Sequence, residues 1–379
     1  MSLRVDTRVP YGNAAAVEVV AAGDVTEVRF APAPHGGPEC LWFLFRLIET
    51  EPDPARQTKV RLVLKHFDQI LGGTNPADCV PVGQVAGQAW ARLKHGEEQG
   101  TPDGRRQATW ILNHPAPWID VAFCYPYGQP DVEALLSRAK DYWHKDVIGL
   151  SQSGRPLVRL SNGYGTPGGT QPGIYLIARQ HAGETPGSWV LDGLLQHLAA
   201  TRKAGYVIWA VPLADVDGVG YGDYGKDGFP YDLNRAWGDP PMRHETLVIK
   251  QDLLRWKQRC RPALALDFHA PGACEKDGVY CYLTELDPGA PTAAEAVKWA
   301  NSIQNELKAE FAAADFKRVA RYASRWTTPN FASHLHRDLG VCALPLEIPY
   351  AQIGTELLTQ KSYRLIGRRI ADAIFRRHG

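Results

Sequence analysis

The pattern of apolar and polar positions divides the chain into two parts. From Val17 to about Cys124, short apolar runs such as residues 41–47 and 60–64 alternate with clusters of Gly, Pro and Asp. This part contains no long stretch with the 3.6-residue period of an amphipathic helix. Short β runs at nearly regular spacing predict an antiparallel β-sandwich of about 120 residues.

The pattern changes after Tyr125. A segment rich in Pro and Gly follows, and Asp131 then offers an N-cap for a helix that we expect over residues 132–143. We therefore predict two domains, a β-sandwich over residues 1–125 and a second domain over residues 126–379.

Strands alternate with amphipathic helices in the second domain. The strand candidates are almost continuously apolar, as strands buried on both faces must be. Strands are expected over residues 173–178, 206–211, 263–268 and 342–347, and helices over residues 186–202, 244–259, 292–313 and 355–377. This alternation predicts an α/β fold with a mixed, mostly parallel sheet flanked by helices.

Composition and charge limit the classes of function. Lys and Arg number 42 against 41 Asp and Glu, so a net charge of +1 does not attract nucleic acid or an anionic membrane. No apolar run approaches the roughly 18 residues that span a bilayer, and the first six residues lack the apolar region of a secretory signal. The seven cysteines include no CxxC pair, which favours buried thiols over disulfides or a cysteine–zinc site. We expect a cytoplasmic protein with neither nucleic acid nor a membrane as a partner.

Residues of metal-binding type follow two of the predicted strands. His181 and Glu184 lie between the strand over residues 173–178 and a helix, and His269 follows the strand over residues 263–268. Each feature alone has an ordinary explanation, a surface histidine beside a helix-start glutamate or a histidine satisfied in the core. Together, two histidines and one carboxylate form the ligand set of a catalytic zinc ion, at the strand ends where α/β sheets bind ligands.

Two further segments carry polar groups suited to catalysis. The fork of Arg235 beside the amide of Asn234 suits a carboxylate, and Asp232 can accept the second ring N–H of a metal-bound histidine. An Asx turn beside a surface arginine is the alternative interpretation. Glu347 ends the apolar strand over residues 342–347, where a carboxylate beside a metal can move protons between water and a leaving amine. A structural ion pair is the alternative for Glu347.

Taken together and in this order, these segments resemble the M14 zinc carboxypeptidases, and within them the cytosolic carboxypeptidase branch. The resemblance covers nearly the whole chain, because that branch carries a β-sandwich before its catalytic domain. The matching segments are residues 149–157, 181–184 followed by Ser188 and Trp189, 217–219, 232–235, 267–269 and Glu347.

The resemblance implies a role for each of these side chains. One zinc ion would be bound by three residues, His181, Glu184 and His269. Glu347 would be the general base and then the general acid, and Asp232 would orient His181. Asn234 and Arg235 would hold the free carboxylate of a peptide or protein. The implied reaction is hydrolysis of the C-terminal peptide bond, with acidic residues as one candidate class of released residue.

The chain departs from the family in the loop before Asp232. The family places an arginine there that polarises the scissile carbonyl, whereas residues 222–228 offer Lys226, a point charge without the arginine fork. Residues 270–272 read Ala-Pro-Gly where the branch has Gly-His after its third ligand. The preference of that branch for C-terminal glutamate therefore need not hold for this chain.

The specificity pocket is less clearly defined by the sequence. Tyr322 and Tyr350 are candidates for the tyrosine that caps the site in digestive carboxypeptidases, and the pocket floor is expected near residues 324–333.

Two other functions share part of this pattern. A zinc-dependent N-acyl amino acid deacylase of the aspartoacylase or succinylglutamate desuccinylase type shares the HxxE pair, a later histidine and the Asp-Leu-Asn-Arg segment. A catalytically silent binding module would explain the missing loop arginine. The β-sandwich placed before the catalytic domain favours the carboxypeptidase.

Overall fold

Two five-stranded sheets precede the first helix in the computed structural model. The structure describes residues 3–35, 37, 39–51, 59–67, 78–113, 117–226, 228, 231–286, 290–320 and 326–377. The strands of this part, in chain order, are β1 Leu3–Asp6, β2 Ala15–Ala22, β3 Val25–Ala31, β4 Leu44–Glu49, β5 Lys59–Leu64, β6 Val82–Val85, β7 Ala91–Arg92, β8 Glu97–Gly100, β9 Arg106–Asn113 and β10 Trp118–Ala122.

The two sheets pack face to face. Their strand orders are β1-β4-β10-β6-β7 and β2-β3-β5-β9-β8. The ring of Phe30 in β3 lies 4.7 Å from that of Phe45 in β4, so aromatic side chains fill the space between the sheets. The prediction of a wholly antiparallel sandwich was wrong for one pair, because β3 and β5 run parallel. Since β4 lies in the opposite sheet, the chain crosses the sandwich twice and returns in its original direction.

Helices and strands alternate in the rest of the chain. In chain order they are α1 Gln129–Ala139, β11 His144–Leu150, β12 Pro156–Ser161, β13 Pro172–Ala178, α2 Thr185–Thr201, β14 Val207–Val211, α3 Val216–Tyr221, α4 His244–Arg259, β15 Arg261–His269, β16 Val279–Tyr282, α5 Pro291–Phe311, β17 Ala312–Arg318, α6 Phe331–His334, β18 Ala343–Glu347, β19 Gln352–Ile353, β20 Glu356–Leu357 and α7 Gln360–Arg376. A 3-10 turn covers Leu233–Arg235, and a π-helical turn, Leu335–Leu339, continues α6.

Eight of these strands form one sheet, in the order β11-β12-β14-β13-β15-β18-β16-β17. The central run from β14 through β13 and β15 to β18 is parallel. Helices cover both faces of it: Ile174 and Leu176 belong to the core that includes α2, α5 and α7, whereas Tyr175 and Ile177 pack with α4. The predicted mixed, mostly parallel sheet flanked by helices is confirmed.

A close contact between two helices positions α2 behind the site. A Cβ atom at Gly367 of α7 would lie 1.9 Å from the carbonyl oxygen of Val190 in α2, so only glycine fits at this crossing. The crossing packs α2, whose N-cap is the predicted metal ligand Glu184, closely against α7.

Two predicted helix starts were wrong. Gly128, not Asp131, is the N-cap of α1, and the Asp131 carboxylate accepts a hydrogen bond of 2.9 Å from the backbone N–H of Gly128. The last helix begins at Gln360 rather than near residue 355, because residues 352–357 form the β19–β20 hairpin and Thr359 caps the helix. Apolar periodicity does not distinguish such a hairpin from the first turn of a helix.

One hydrophobic core extends through both parts of the chain. The ring of Phe123, just after β10, lies 4.7 Å from that of Tyr350, just after β18. The domain boundary near Tyr125 therefore stays a prediction.

All seven cysteines lie within the described residues, and none of them forms a disulfide. Six are buried and Cys40 is half-buried. Among the described residues, no helix has the length and apolar character needed to cross a membrane.

Candidate metal centre and active-site cavity

The turn between β13 and α2 brings His181 and Glu184 into the interior. Glu184 is the N-cap of α2, and both side chains are almost completely buried. The turn can pack tightly because residue 183 is glycine: a Cβ there would lie 2.6 Å from Cδ2 of Tyr224 and 3.1 Å from Cβ of Trp42.

His269 reaches the same point from the end of the neighbouring strand, β15. Nδ1 of His181 lies 2.9 Å from Oε1 of Glu184, and Nδ1 of His269 lies 2.7 Å from Oε2 of the same carboxylate. The candidate ligand atoms of the three residues all lie within 4.8 Å of one another. This is close enough for a single metal ion to contact all three.

The outer nitrogen of each imidazole faces a carboxylate. Nε2 of His181 lies 3.3 Å from Oδ1 of Asp232, and Nε2 of His269 lies 2.8 Å from Oδ2 of Asp267. A carboxylate in this position holds a proton on Nε2, which leaves the Nδ1 lone pair directed toward Glu184. We infer that both histidines present Nδ1 to a metal.

Asp267 was missed as a partner of His269 in the sequence. Its Oδ2 also accepts a hydrogen bond of 2.6 Å from the side-chain amide of Gln180. The side-chain oxygen of Gln180 in turn accepts a hydrogen bond of 2.8 Å from the indole N–H of Trp237. The sequence could have indicated this contact, because Asp267 and His269 are two residues apart in a strand and therefore point to the same face. Gln180 and Trp237 gave no comparable signal.

The pKa values of the cluster reflect its negative charge. Burial disfavours a charged imidazole, but Glu184 and Asp232 overcome this and raise the pKa of His181 to about 9. Burial likewise opposes the charge on His269, whereas Asp267 and Glu184 raise its pKa well above the ordinary value. Three buried carboxylates around two imidazoles thus favour a cation at their centre.

Glu347 lies beside this cluster at the end of β18. Its Oε2 is shielded from solvent and has no hydrogen-bond partner among the described residues. Burial, together with the charge of Glu184, raises the pKa of Glu347 to about 7 against the opposing effects of His269 and Lys226. A carboxylate with this pKa can both accept and donate a proton near neutral pH.

Lys226 supplies a positive charge to the same space. Its Nζ lies 3.1 Å from Oε1 of Glu184. Burial opposes the charge on the amine, but Tyr224, Glu184 and Glu347 raise the pKa of Lys226 well above its usual value. The surrounding groups thus favour the charged form of Lys226 beside the candidate metal ligands.

Asn234 and Arg235 lie together in the 3-10 turn Leu233–Arg235. The Asn234 amide nitrogen lies 3.1 Å from Nε2 of His269, and its oxygen accepts a hydrogen bond of 3.1 Å from the backbone N–H of Phe331. The Arg235 guanidinium donates to the backbone carbonyl oxygen of Asn234 over 3.0 Å and lines the cavity. The planar guanidinium of Arg235, which lines the cavity, is the stronger candidate for binding an anion.

All eight predicted site residues line one cavity of about 670 Å³: His181, Glu184, Lys226, Asp232, Asn234, Arg235, His269 and Glu347. Trp326, Asn330 and Ser333, from the segment expected to form the pocket floor, also line it. Tyr322 and residues 324 and 325 lie outside the described residues. Tyr350 does not line the cavity; it is buried, and its hydroxyl donates to that of Tyr224 over 3.3 Å.

Curated relatives match part of the chain. Mouse cytosolic carboxypeptidase 1 is 32% identical over 186 residues, which is 42% of this chain and 15% of the relative. Human cytosolic carboxypeptidase 6 is 32% identical over 166 residues, 39% of this chain and 33% of the relative. The chain thus spans a third or less of the length of these relatives. The resemblance to the cytosolic carboxypeptidase branch is confirmed.

Solved structures similar to this chain match it over nearly its whole length. A metallo-carboxypeptidase from Burkholderia cenocepacia has a TM-score of 0.77 at 20% identity, covering 99% of this chain and 98% of that one. A metallo-carboxypeptidase from Pseudomonas aeruginosa has a TM-score of 0.75 at 20% identity, with coverage of 99% and 98%. The chain has the metallocarboxypeptidase fold, with the β-sandwich included in the match. No protein-family model matches it.

Proposed function

We propose that this chain is a zinc-dependent metallocarboxypeptidase that hydrolyses the C-terminal peptide bond of peptides or proteins. One observation carries the proposal: the buried His181–Glu184–His269 cluster, Glu347 and two cations, Lys226 and Arg235, line the same cavity. The names of the relatives support it.

The donor set fits a zinc ion. Two imidazole nitrogens and one carboxylate oxygen form a set that zinc accepts with a further position left open, and the surrounding carboxylates balance the charge of a dication. Bound zinc would act as a Lewis acid that polarises a carbonyl and lowers the pKa of water. Asp232 and Asp267 would keep the protons of the two histidines on Nε2, away from the metal.

Glu347 is the proposed proton carrier. Its buried carboxylate can take a proton from the attacking water and give it to the nitrogen of the departing amino acid. Among the described residues Oε2 has no hydrogen-bond partner, so the transfer would not first require breaking a bond to one of them.

The two cations have separate proposed tasks. Arg235 binds the terminal carboxylate of the substrate, which selects free C-termini. Asn234 lines the cavity beside it. Lys226 donates to the carbonyl oxygen of the scissile bond as negative charge develops there. Lys226 would then polarise the scissile carbonyl, as an arginine does in the family that the chain resembles.

Substrate preference and location stay predictions. The cavity lining combines Arg337 with the carboxylates of Glu39, Glu275 and Glu285, so its charge alone does not select acidic residues. We place the protein in the cytoplasm, in agreement with the word cytosolic in the names of the relatives.

Mass spectrometry of a mixed substrate pool tests the function. The pool contains peptides that differ in their C-terminal residue, the same peptides with amidated C-termini, and N-acyl amino acids. We expect loss of a single C-terminal residue from the free peptides only, with the zinc-loaded protein and not with chelator. Deacylation without peptide cleavage would identify the deacylase instead, and no reaction in any sample would favour the binding module.

A further inference from the structure

The loop that carries Lys226 lies between the β-sandwich and the metal-ligand turn. We call residues 222–226 the lysine loop. Its outer side contacts the β-sandwich part of the chain, and its inner side contacts residues 181–184. The position of Lys226 therefore depends on what holds this loop from both sides.

Asn13 makes the main outer contact. Its amide nitrogen donates to the carbonyl oxygen of Gly222 over 2.7 Å and to that of Ala33 over 3.1 Å, and its oxygen accepts from the Ala33 N–H over 2.6 Å. Its backbone exchanges two hydrogen bonds with Leu44, of 2.8 and 3.0 Å. Asn13 is 3% exposed, and its bond to Gly222 is buried, whereas its bonds to Ala33 are partly buried. An enclosed amide with all of these partners occupies one orientation.

Gly222 is pressed against the same part of the β-sandwich. It has φ of +74°, and a Cβ atom there would lie 2.5 Å from the carbonyl oxygen of Gly12 and 2.8 Å from that of Tyr11. One residue further on, Oδ1 of Asp223 lies 2.5 Å from Nδ1 of His35. Two successive residues of the lysine loop are thus held by the β-sandwich part of the chain.

The inner side of the loop contacts the metal-ligand turn. The Tyr224 carbonyl oxygen accepts a hydrogen bond of 2.8 Å from the Gly183 N–H. Gly225 has φ of +85°, and a Cβ there would lie 2.6 Å from the backbone nitrogen of Ala182. Lys226 then reaches Glu184. The loop has little room to move independently of the turn.

We infer that Asn13 is a positioning residue for Lys226, so that the β-sandwich completes the active site instead of being a separate appendage. The inference rests on the proposed function, in which Lys226 donates to the scissile carbonyl. A misplacement of about 1 Å in such a donor can cost roughly a hundredfold in rate. Without the Asn13 amide, the Gly222 end of the lysine loop loses its enclosed anchor.

A double-mutant cycle between Asn13 and Lys226 tests the inference by steady-state kinetics. We expect Asn13→Ala to lower kcat roughly 10- to 100-fold while KM changes less than about threefold. In a Lys226→Ala background, the same change should cost less than about twofold, because the group that it positions is gone. Equal losses in the two backgrounds, or unchanged kinetics in the single variant, would refute the inference.

Two further variants keep the test independent of folding. Asn13→Asp retains the oxygen that accepts from the Ala33 N–H but loses the donations to the carbonyl oxygens of Gly222 and Ala33, and it should reproduce the loss of kcat. The control is Arg46→Ala, which removes a pair with Asp120 inside the β-sandwich and should leave kcat and KM unchanged.

Acylation of lysines followed by mass spectrometry gives a readout that needs no turnover. In the zinc-loaded Asn13→Asp variant, Lys226 should be modified at least about fivefold faster than in the wild type, because the Gly222 end of the lysine loop has lost its anchor and the loop opens more often. Lys298, which lies on α5, is the internal reference. Unchanged labelling of Lys226 would contradict the positioning role, whereas an inactive wild type would contradict the proposed function only.

Discussion

His269 and Glu347 lie directly opposite each other at the ends of two neighbouring parallel strands, β15 and β18. Residues paired in this way point to the same face of the sheet. The register of two strands therefore places a candidate metal ligand beside the carboxylate that we propose as the proton carrier, although many residues separate them in sequence. The chemistry of the site depends on this pairing and on the β13–α2 turn that supplies the other two ligands.

Replacing Glu347 by Gln should abolish turnover without removing the metal. The amide has nearly the same shape as the carboxylate but cannot take a proton from water, so kcat should fall by roughly 10²- to 10⁴-fold. Because Glu347 is outside the three-residue ligand cluster, metal content should match that of the wild type. Peptide hydrolysis and elemental analysis of the same preparation check both expectations. Activity close to that of the wild type would exclude Glu347 from the mechanism.

Removing the metal should destabilise the protein. The Glu184, Asp232 and Asp267 carboxylates lie around two imidazoles, and a bound dication relieves their repulsion. At a metal concentration 100 times Kd, mass action contributes about 2.7 kcal/mol to the free energy of unfolding. Differential scanning calorimetry with and without chelator measures this difference.

The matched control for metal removal is the His269→Ala variant. It lacks one of the three ligands, so chelator should change its Tm far less than that of the wild type. The same chelator effect in both proteins would mean that the metal responsible binds elsewhere.

Changing Asp267 should weaken metal binding although Asp267 does not belong to the ligand cluster. It holds the Nε2 proton of His269 and is itself held by Gln180. Partners of this type typically contribute 10- to 100-fold to metal affinity. We expect Asp267→Ala to raise the Kd for zinc by about this factor, and Gln180→Ala to raise it by less, in competition with a chromophoric chelator. Affinities equal to that of the wild type would show that the strand alone orients His269.

The candidate metal ligands were predictable because each follows a local rule. His181, Glu184 and His269 lie at the carboxyl ends of apolar strands, and parallel strands bring such ends together. The contacts of the lysine loop follow no such rule. Asn13 and Gly222 are 209 residues apart, and neither an Asn nor a Gly signals a partner at that distance.

The start of the last helix was predicted wrongly for a related reason. Leu358 continues the apolar stripe of α7 in sequence and is buried in the structure, yet it precedes the helix. Burial of an apolar side chain does not reveal the backbone conformation that buries it, whereas the cap formed by Thr359 and Ser362 does set the start of the helix.

Arg92 makes a contact between the two parts of the chain whose loss should be costly. From β7 its guanidinium donates to the carbonyl oxygens of Val80, at 2.7 Å, and Leu358, at 2.9 Å. It also donates to the Tyr363 hydroxyl, at 3.0 Å, and to the carbonyl oxygen of Tyr350. Three of these four acceptors belong to the second part of the chain, so one side chain satisfies acceptors on both sides of the contact.

We expect Arg92→Ala to lower the free energy of unfolding by about 2–4 kcal/mol, because the carbonyl oxygens of the buried residues Val80 and Leu358 lose the donor that Arg92 supplies. Arg92→Lys should recover only part of this, since an ammonium group cannot reproduce the planar fork. The control is Arg46→Ala, which removes the same charge from a partly exposed pair with Asp120 and should cost less than half as much. Guanidinium chloride denaturation of the three variants and the wild type measures the differences. Equal losses for Arg92→Ala and Arg46→Ala would mean that the bridging contacts of Arg92 add nothing beyond an ordinary ion pair.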